Sequence, residues 1–256
     1  PSPSFPALAA AIAAADGGNP AMPGLPTETA LGQIKDFETR RQALKPFIDT
    51  LPDTDASKGY ALYHYARALV LHDKSAERAR EAIAMLRLLT GGTVVAPPGY
   101  AIKAAILQSH ATHYYLRNPG SARRMYLELL SSPGINDAQR AYLARQTAAT
   151  YLELMTSGRK ATGADARQAM RTLYAQTPAR YTTERALIHL MFSETYLEEG
   201  NAEAASQMAQ QVAEAYAAVP VVTIQARWNE AIALFRQGKK NEARAKFQEI
   251  AGLRPG

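Results

Sequence analysis

Residues 227–255 read RWNEAIALFRQGKKNEARAKFQEIAGLRP, and this stretch decides the fold. Apolar residues recur at spacings of three and four on both sides of Gln237-Gly238-Lys239, which predicts two helices joined by a tight turn. Two helices approach to about 8–10 Å only where small side chains face each other. Ala231 and Ala243 meet that requirement, and Gly238 permits the chain to reverse between the helices.

This pattern resembles the tetratricopeptide repeat (TPR), a family built from helix pairs of about 34 residues. In that family, a small residue and a large one three positions later mark the first helix. A second small residue, an aromatic residue four positions later and a closing proline mark the second helix. Here these roles fall on Ala231, Leu234, Ala243, Phe247 and Pro255. Trp228 lies one position after the family's usual aromatic site, and Glu230 replaces the usual leucine.

Four earlier stretches follow the same pattern, so the resemblance covers about residues 56–255 as five degenerate repeats. The alanines that open the five second helices lie 40, 44, 39 and 38 residues apart, at Ala82, Ala122, Ala166, Ala205 and Ala243. In the earlier first helices, the small residues predicted at the helix crossings include Ala66, Ala111 and Ala148. The predicted fold is all-α: an α-α superhelix, or TPR-like solenoid of antiparallel helix pairs, with an N-terminal helical extension. The alternative is an irregular α-solenoid of another repeat class.

The composition agrees with a helical chain and excludes several classes of site. The 256 residues include 50 alanines, and alanine is the best helix former. Cysteine is absent, which excludes a disulfide scaffold, a cysteine nucleophile and a thiolate metal site. The net charge of +6 is spread along the chain, without a basic run, so no nucleic-acid partner is expected. The sequence contains no run of about 18 apolar residues, so no transmembrane segment is expected.

The two ends of the repeat region differ in character. Residues 1–27 form an Ala/Pro/Gly-rich extension in which Phe5, Leu8 and Ile12 share one face of a predicted short helix. Residues 28–255 are predicted to form a single domain that opens with a helix over 28–50, with Thr27 as its N-cap. A start at Pro1 is typical of a processed or trimmed chain. This favours the periplasm or cell envelope, with a truncated cytoplasmic chain as the alternative.

Two pairs of residues could support chemistry, and each pair has a simpler interpretation. His110 and His113 share a helical face and could form half of a zinc site, or they could be packed core histidines. Glu194 and Glu198 lie one turn apart and could act as an acid–base pair, or they could be solvated surface carboxylates. Phosphate-binding loops and nucleophile elbows are absent from the sequence. We therefore expect a protein that is not an enzyme and that carries no metal or cofactor.

The resemblance implies that the first helices of successive pairs line a concave groove in which a peptide or protein segment lies. Carried over by position, the groove residues are Tyr60, Tyr63, Arg67, Gln108, Tyr115, Tyr142, Arg145, Glu194, Gln225, Trp228 and Arg236. If the register of the first three units is shifted by one residue, the residues predicted for the groove in those units rotate by about 100° around their helix axes. About half of the tyrosines are expected to pack between repeats instead.

The chemistry of these residues suggests a protein-interaction scaffold. Tyrosine, tryptophan and arginine dominate binding hot spots because they bury a large area and keep a polar tip. Arg67, Arg145 and Arg236 could clamp an acidic segment or a C-terminal carboxylate of a partner. The alternatives are a helical enzyme or small-ligand protein with a site between repeats, and a homo-oligomer formed through exposed repeat ends.

Overall fold

The computed structural model describes residues 24–34, 36–72, 75–158 and 162–252, and every regular element within them is an α-helix. The predicted short helix over Phe5–Ala15, most of the extension and the closing Pro255 lie outside the described residues. The first helices are α1 Glu28–Gln33, α2 Phe37–Thr50, α3 Ala56–His72, α4 Ala76–Thr90, α5 Tyr100–Tyr114 and α6 Pro119–Leu130. They are followed by α7 Asp137–Thr156, α8 Gly163–Gln176, α9 Thr182–Glu198, α10 Ala202–Ala215, α11 Pro220–Arg236 and α12 Lys240–Gly252.

From α3 onward the helices follow one another in the order of the five predicted pairs: α3–α4, α5–α6, α7–α8, α9–α10 and α11–α12. The two members contact each other in α3–α4, α5–α6, α9–α10 and α11–α12. The chain divides into two compact units, unit 1 over residues 1–139 and unit 2 over residues 140–256. The expectation of a single domain over 28–255 stays a prediction.

In unit 1, each helix from α2 to α6 packs against the next one along the chain, and α3 also contacts α5. The core contains the large side chains of Tyr63, Leu69 and Leu86, all fully buried. The alanines predicted at the helix crossings are fully buried too: Ala66, Ala82, Ala111 and Ala122. Their small side chains permit the close helix approach on which the repeat depends.

The helix predicted over 28–50 is divided into two. Thr27 is confirmed as the first N-cap, because its Oγ1 accepts a hydrogen bond from the Ala30 N–H at 3.2 Å. Asp36 then caps α2, and its carboxylate accepts from the Thr39 N–H at 2.7 Å. An aspartate cap satisfies N–H groups that a new helix start leaves open, which favours a break at this position. Pro46 lies inside α2 without ending it.

In unit 2, α8 to α12 pack in succession, and α9 also contacts α11. One core cluster joins α9, α10 and α11 through Leu190, Val212 and Val222. The crossing residues Ala166, Ala205, Ala231 and Ala243 are buried. Gly238 has a φ of 81°, a left-handed conformation that explains the glycine in the predicted turn between α11 and α12.

No helix in the part of the chain that the structure describes is both long enough and apolar enough to cross a bilayer.

Candidate functional site

A cavity of about 260 Å³ opens on unit 2, between residues of α7, α9 and α11. These are the first helices of the last three pairs, the position from which the repeat pattern predicts a binding groove. Its apolar lining consists of Leu152, Leu197, Trp228 and Ile232. Its polar lining consists of Thr156, Glu194, Glu198, Gln225, Asn229 and Arg236. Four of the residues predicted for the groove therefore lie together here: Glu194, Gln225, Trp228 and Arg236.

A hydrogen-bonded network forms the base of this cavity. The buried Asn229 side chain donates from its Nδ2 to Ser193 Oγ at 2.9 Å. Gln225 Nε2 donates to Asn229 Oδ1 at 3.3 Å. The Asn229 amide also lies close enough to Glu194 to lower the pKa of that carboxyl. These bonds link α9 to α11 and fix the orientation of the polar side chains, because buried polar groups are costly when unsatisfied.

Trp228 is the most exposed part of the apolar lining and the only tryptophan in the chain. Its side chain is 44% exposed, and its ring lies edge-on to Phe247, with the ring centroids 4.9 Å apart. Val221 and Phe235 are also exposed and lie seven residues on either side of it, on the same stripe of α11. A half-exposed tryptophan beside a cavity is typical of a binding hot spot.

Glu194 is the partly buried carboxylate of the cavity, and Glu198 lies one turn further along α9. Burial raises the pKa of Glu194, and the nearby charge of Glu198 raises it further. No ion pair among the described residues includes either carboxylate. The cavity therefore presents acidic groups whose charge is not neutralised by a neighbouring side chain of the described chain.

Arg236 is the basic residue of the cavity lining, and its guanidinium binds a backbone carbonyl instead of a carboxylate. Arg236 Nη1 donates to the backbone carbonyl of Leu197, in the last turn of α9. The carbonyls at a helix C-terminus lack partners within the helix and carry partial negative charge, so they attract a guanidinium group. Arg236 thus caps α9 as well as lining the cavity.

The predicted groove residues of unit 1 have other surroundings. Tyr60 and Tyr63 are buried, and their rings pack against His64 and Tyr100. The Tyr60 hydroxyl donates to the carbonyl of Pro26 at 3.0 Å. Arg67 pairs with Glu28, with an N–O distance of 3.1 Å. The tyrosines belong to the core, and the arginine ties α3 to α1.

Four further predicted groove residues lie elsewhere on α5, α7 and their ends. Gln108 and Tyr115 are partly buried, and burial raises the pKa of the Tyr115 hydroxyl. Tyr142 and Arg145 are buried, with the guanidinium 5.7 Å from the Tyr142 ring centre. The Nε and Nη2 atoms of Arg145 are buried and donate to none of the described residues. The three arginines predicted to clamp an acidic segment of a partner therefore do not form one exposed set.

The two histidines considered for a metal site lie in an aromatic cluster. His110 and His113 are buried, and both rings pack on Tyr114, with centroid distances of 4.7 and 4.1 Å. Across residues 24–34, 36–72, 75–158 and 162–252, no group of three or more His, Asp or Glu side chains has the geometry to hold a metal ion. These histidines pack as core residues.

Sequence reasoning missed the groove role of Asn229. An asparagine directly after Trp228, one turn from the buried Ala226 and Ala233 of α11, is the signal that could have indicated it. A polar side chain at a helix crossing requires a partner, and the partner here is Ser193 on the neighbouring first helix. Glu198 was interpreted as half of an acid–base pair or as a solvated surface carboxylate, and it was not among the predicted groove residues.

The architecture is that of a TPR-like helical-repeat protein. Comparison with solved structures supports this class: the fold is similar to a crystal structure of a Podospora anserina protein assigned as a kinesin light chain, with nearly identical TPR-like repeats. The TM-score is 0.54 at 13% sequence identity, over 76% of this chain and 93% of that chain. At this identity the likeness concerns the fold alone. No protein-family model matches the sequence, and the search of curated proteins gives no match.

Proposed function

We propose that this chain is a non-enzymatic interaction scaffold that binds a segment of a partner protein in the cavity of unit 2. TPR-like repeats typically form extended concave surfaces that bind proteins. The observation that carries the proposal is the half-exposed Trp228 beside an open cavity lined by three first helices. An apolar surface with a few fixed polar groups is the usual composition of a recognition site.

The partner segment contacts the indole of Trp228 and the apolar side chains of Leu152, Leu197 and Ile232. Its backbone bonds to the amide of Gln225, which is exposed at the cavity edge. A catalytic role is not proposed for Glu194 and Glu198, because both carboxylates lie on one helix and no histidine, serine or lysine is among the described residues that line the cavity with them.

The experiment is selection of binding peptides from a random display library, followed by titration with purified protein. Trp228 is the only tryptophan, so its fluorescence reports occupancy of the cavity directly. We expect selected peptides to shift its emission to shorter wavelength as they exclude water. Trp228→Ala removes this signal, so its affinity is measured by isothermal titration calorimetry, and it should be weaker by roughly 30-fold, the size of a hot-spot loss of about 2 kcal/mol.

Phe235→Ala is the matched control. Phe235 lies on the same stripe of α11 and is 57% exposed, but it is outside the cavity lining. Its removal should leave the peptide affinity nearly unchanged, and circular dichroism should show both variants folded. Equal effects of the two substitutions, or peptides that bind without changing Trp228 emission, would contradict the proposed site.

A further inference from the structure

We propose that the cavity of unit 2 recognises a basic side chain, lysine or arginine, carried by the partner segment. This inference rests on the proposed function and adds the chemistry of the partner. It reverses the partner chemistry suggested by the sequence, in which three arginines point to an acidic segment. The argument comes from the charges that line the cavity and from how each of them is already paired.

The acidic groups of the cavity differ from the carboxylates around them. Glu199, next to Glu198 in sequence, pairs with Arg167 at 2.5 Å, and Glu230 of α11 pairs with Lys246 at 3.1 Å. Glu194 and Glu198 have no such cation within the described chain. A partly buried carboxylate without a cation carries a desolvation cost that an incoming positive charge would offset.

Arg236 does not supply the missing charge. Its guanidinium is directed to the carbonyl of Leu197 at the C-terminus of α9, and it forms no ion pair with a described carboxylate. An acidic segment entering the cavity would bring a third carboxylate close to Glu194 and Glu198. Burial and the charge of Glu198 raise the pKa of Glu194, although the Asn229 amide lowers it, so a further carboxylate beside this pair adds repulsion.

The shape of the lining fits a long basic side chain. Lysine and arginine have an apolar stem that packs on hydrophobic surface while the charged end contacts polar groups. Leu152, Leu197 and Ile232 provide surface for the stem. The face of an exposed indole attracts a cation, and Trp228 is the aromatic residue of this lining. A metal ion is a weaker fit, because the lining offers two carboxylates and the described residues hold no group of three ligands.

The test uses acetylated and amidated heptapeptides that carry a guest residue between two leucines. The guests are lysine, arginine, the neutral analogue norleucine, and glutamate. We expect the lysine and arginine peptides to bind about tenfold or more tightly than the norleucine peptide, with the glutamate peptide weakest. This preference should shrink as salt is added, because the charges are partly exposed.

The double variant Glu194→Gln, Glu198→Gln should remove the preference for lysine and arginine and leave norleucine binding unchanged. Glutamine keeps the size of the side chain and a carbonyl oxygen that accepts hydrogen bonds, and circular dichroism checks that the double variant is folded. Glu203→Gln is the matched control, since Glu203 is an exposed carboxylate of α10 outside the cavity. It removes the same charge and should leave the preference intact.

The possible outcomes distinguish failure of the basic-residue inference from failure of the proposed scaffold function. Library-selected peptides that need Trp228 but are not enriched in lysine or arginine would overturn the basic-residue inference alone. A lysine preference that persists in the double variant would overturn it too. Failure of every peptide, library-selected or designed, to bind in a Trp228-dependent way would overturn the proposed function.

Discussion

At the scale of single residues, His64 shows how burial in the interior of unit 1 changes the pKa of a side chain. Its ring packs on Tyr60 and Tyr63, with centroids 4.2 and 5.1 Å away, and Nε2 lies 3.4 Å from the Tyr100 hydroxyl. Burial lowers the pKa of His64 to about 3, and the positive charges of Arg67, Lys103 and Arg40 contribute. The imidazole is therefore neutral in the folded protein at any ordinary pH.

This pKa predicts acid sensitivity of unit 1. Between the ordinary histidine pKa of 6.5 and the folded value of about 3, the unfolded chain binds a proton that the folded chain does not. Unfolding free energy should therefore fall by about 1.4 kcal/mol per pH unit in that window as pH decreases. Urea unfolding at pH 7, 6 and 5 measures the slope.

His64→Phe is the comparison, because phenylalanine keeps a planar ring and cannot bind a proton. The variant should lose less stability than wild type between pH 6 and pH 5. His189, whose pKa burial also lowers, is present in both proteins and cancels from the difference. Identical slopes for the two proteins would show that His64 is not the origin of the pH dependence.

At the scale of helices, the first and second members of a pair are buried to different extents. α3 packs against α2, α4 and α5, so most of its faces are covered. This is why Tyr60 and Tyr63 lie in the core although a groove position was predicted for them. α11 contacts α9, α10 and α12 but leaves its Val221–Trp228–Phe235 stripe exposed. The same repeat position is thus core in one pair and surface in another.

The start of α10 gives a prediction at the same scale. Asn201 caps this helix, and its Oδ1 accepts from the Ala204 N–H at 3.1 Å. Asn201→Ala should lower the unfolding free energy by about 1 kcal/mol, because one N–H of the first turn loses its acceptor. Asn201→Asp should keep most of the stability. Thermal unfolding followed by circular dichroism measures both.

Asn241→Ala is the control for the cap. Asn241 is an exposed residue within the first turn of α12, and alanine is a better helix former than asparagine. We expect no loss of stability from this substitution. A loss equal to that of Asn201→Ala would mean that the capping bond contributes nothing specific.

At the scale of the whole molecule, the chain forms two compact units, and every residue that lines the cavity belongs to unit 2. Binding should therefore depend on the packing of unit 2 and be insensitive to defects in unit 1. Two leucine-to-alanine substitutions can separate these dependences. Leu69 is a fully buried core residue of unit 1, and Leu197 is both a core residue of unit 2 and part of the cavity lining.

Leu69→Ala should lower unfolding free energy by about 2–5 kcal/mol, through lost burial and the cavity left behind. At a temperature where circular dichroism shows the variant folded, its affinity for a Trp228-dependent peptide should equal that of wild type. Leu197→Ala should reduce both stability and affinity. Loss of affinity in folded Leu69→Ala would show that unit 1 takes part in binding.

The alanines at the helix crossings could be predicted from the sequence, because their positions depend on residue size and spacing alone. Ala66, Ala82, Ala111, Ala122 and Ala243 occupy buried crossings as predicted, since only a small side chain allows two helices to approach there. The Gly238 turn followed for the same kind of local reason: a left-handed φ strongly favours glycine. These features come from the backbone and from neighbours one or two turns away.

The site could be predicted only in part. Glu194, Gln225, Trp228 and Arg236 lie together because the last repeat matches the family pattern well enough to set their helix faces. In the earlier repeats, one residue of register turns a side chain by about 100°, which is enough to exchange core for surface. The hydrogen-bond partner of each arginine could not be predicted from the sequence either. Arg67 binds Glu28 and Arg236 binds the Leu197 carbonyl, and each pair is separated by 39 residues in the chain.

The sequence by itself determined that the chain is helical, that its helices are paired, and where they cross. Those properties follow from local periodicity and residue size. Only the tertiary structure decided which tyrosines are core, that Trp228 stays exposed, and that Glu194 and Glu198 form no ion pair with another described residue. Burial and charge pairing depend on which side chains meet across distant helices, and a single sequence does not specify those meetings.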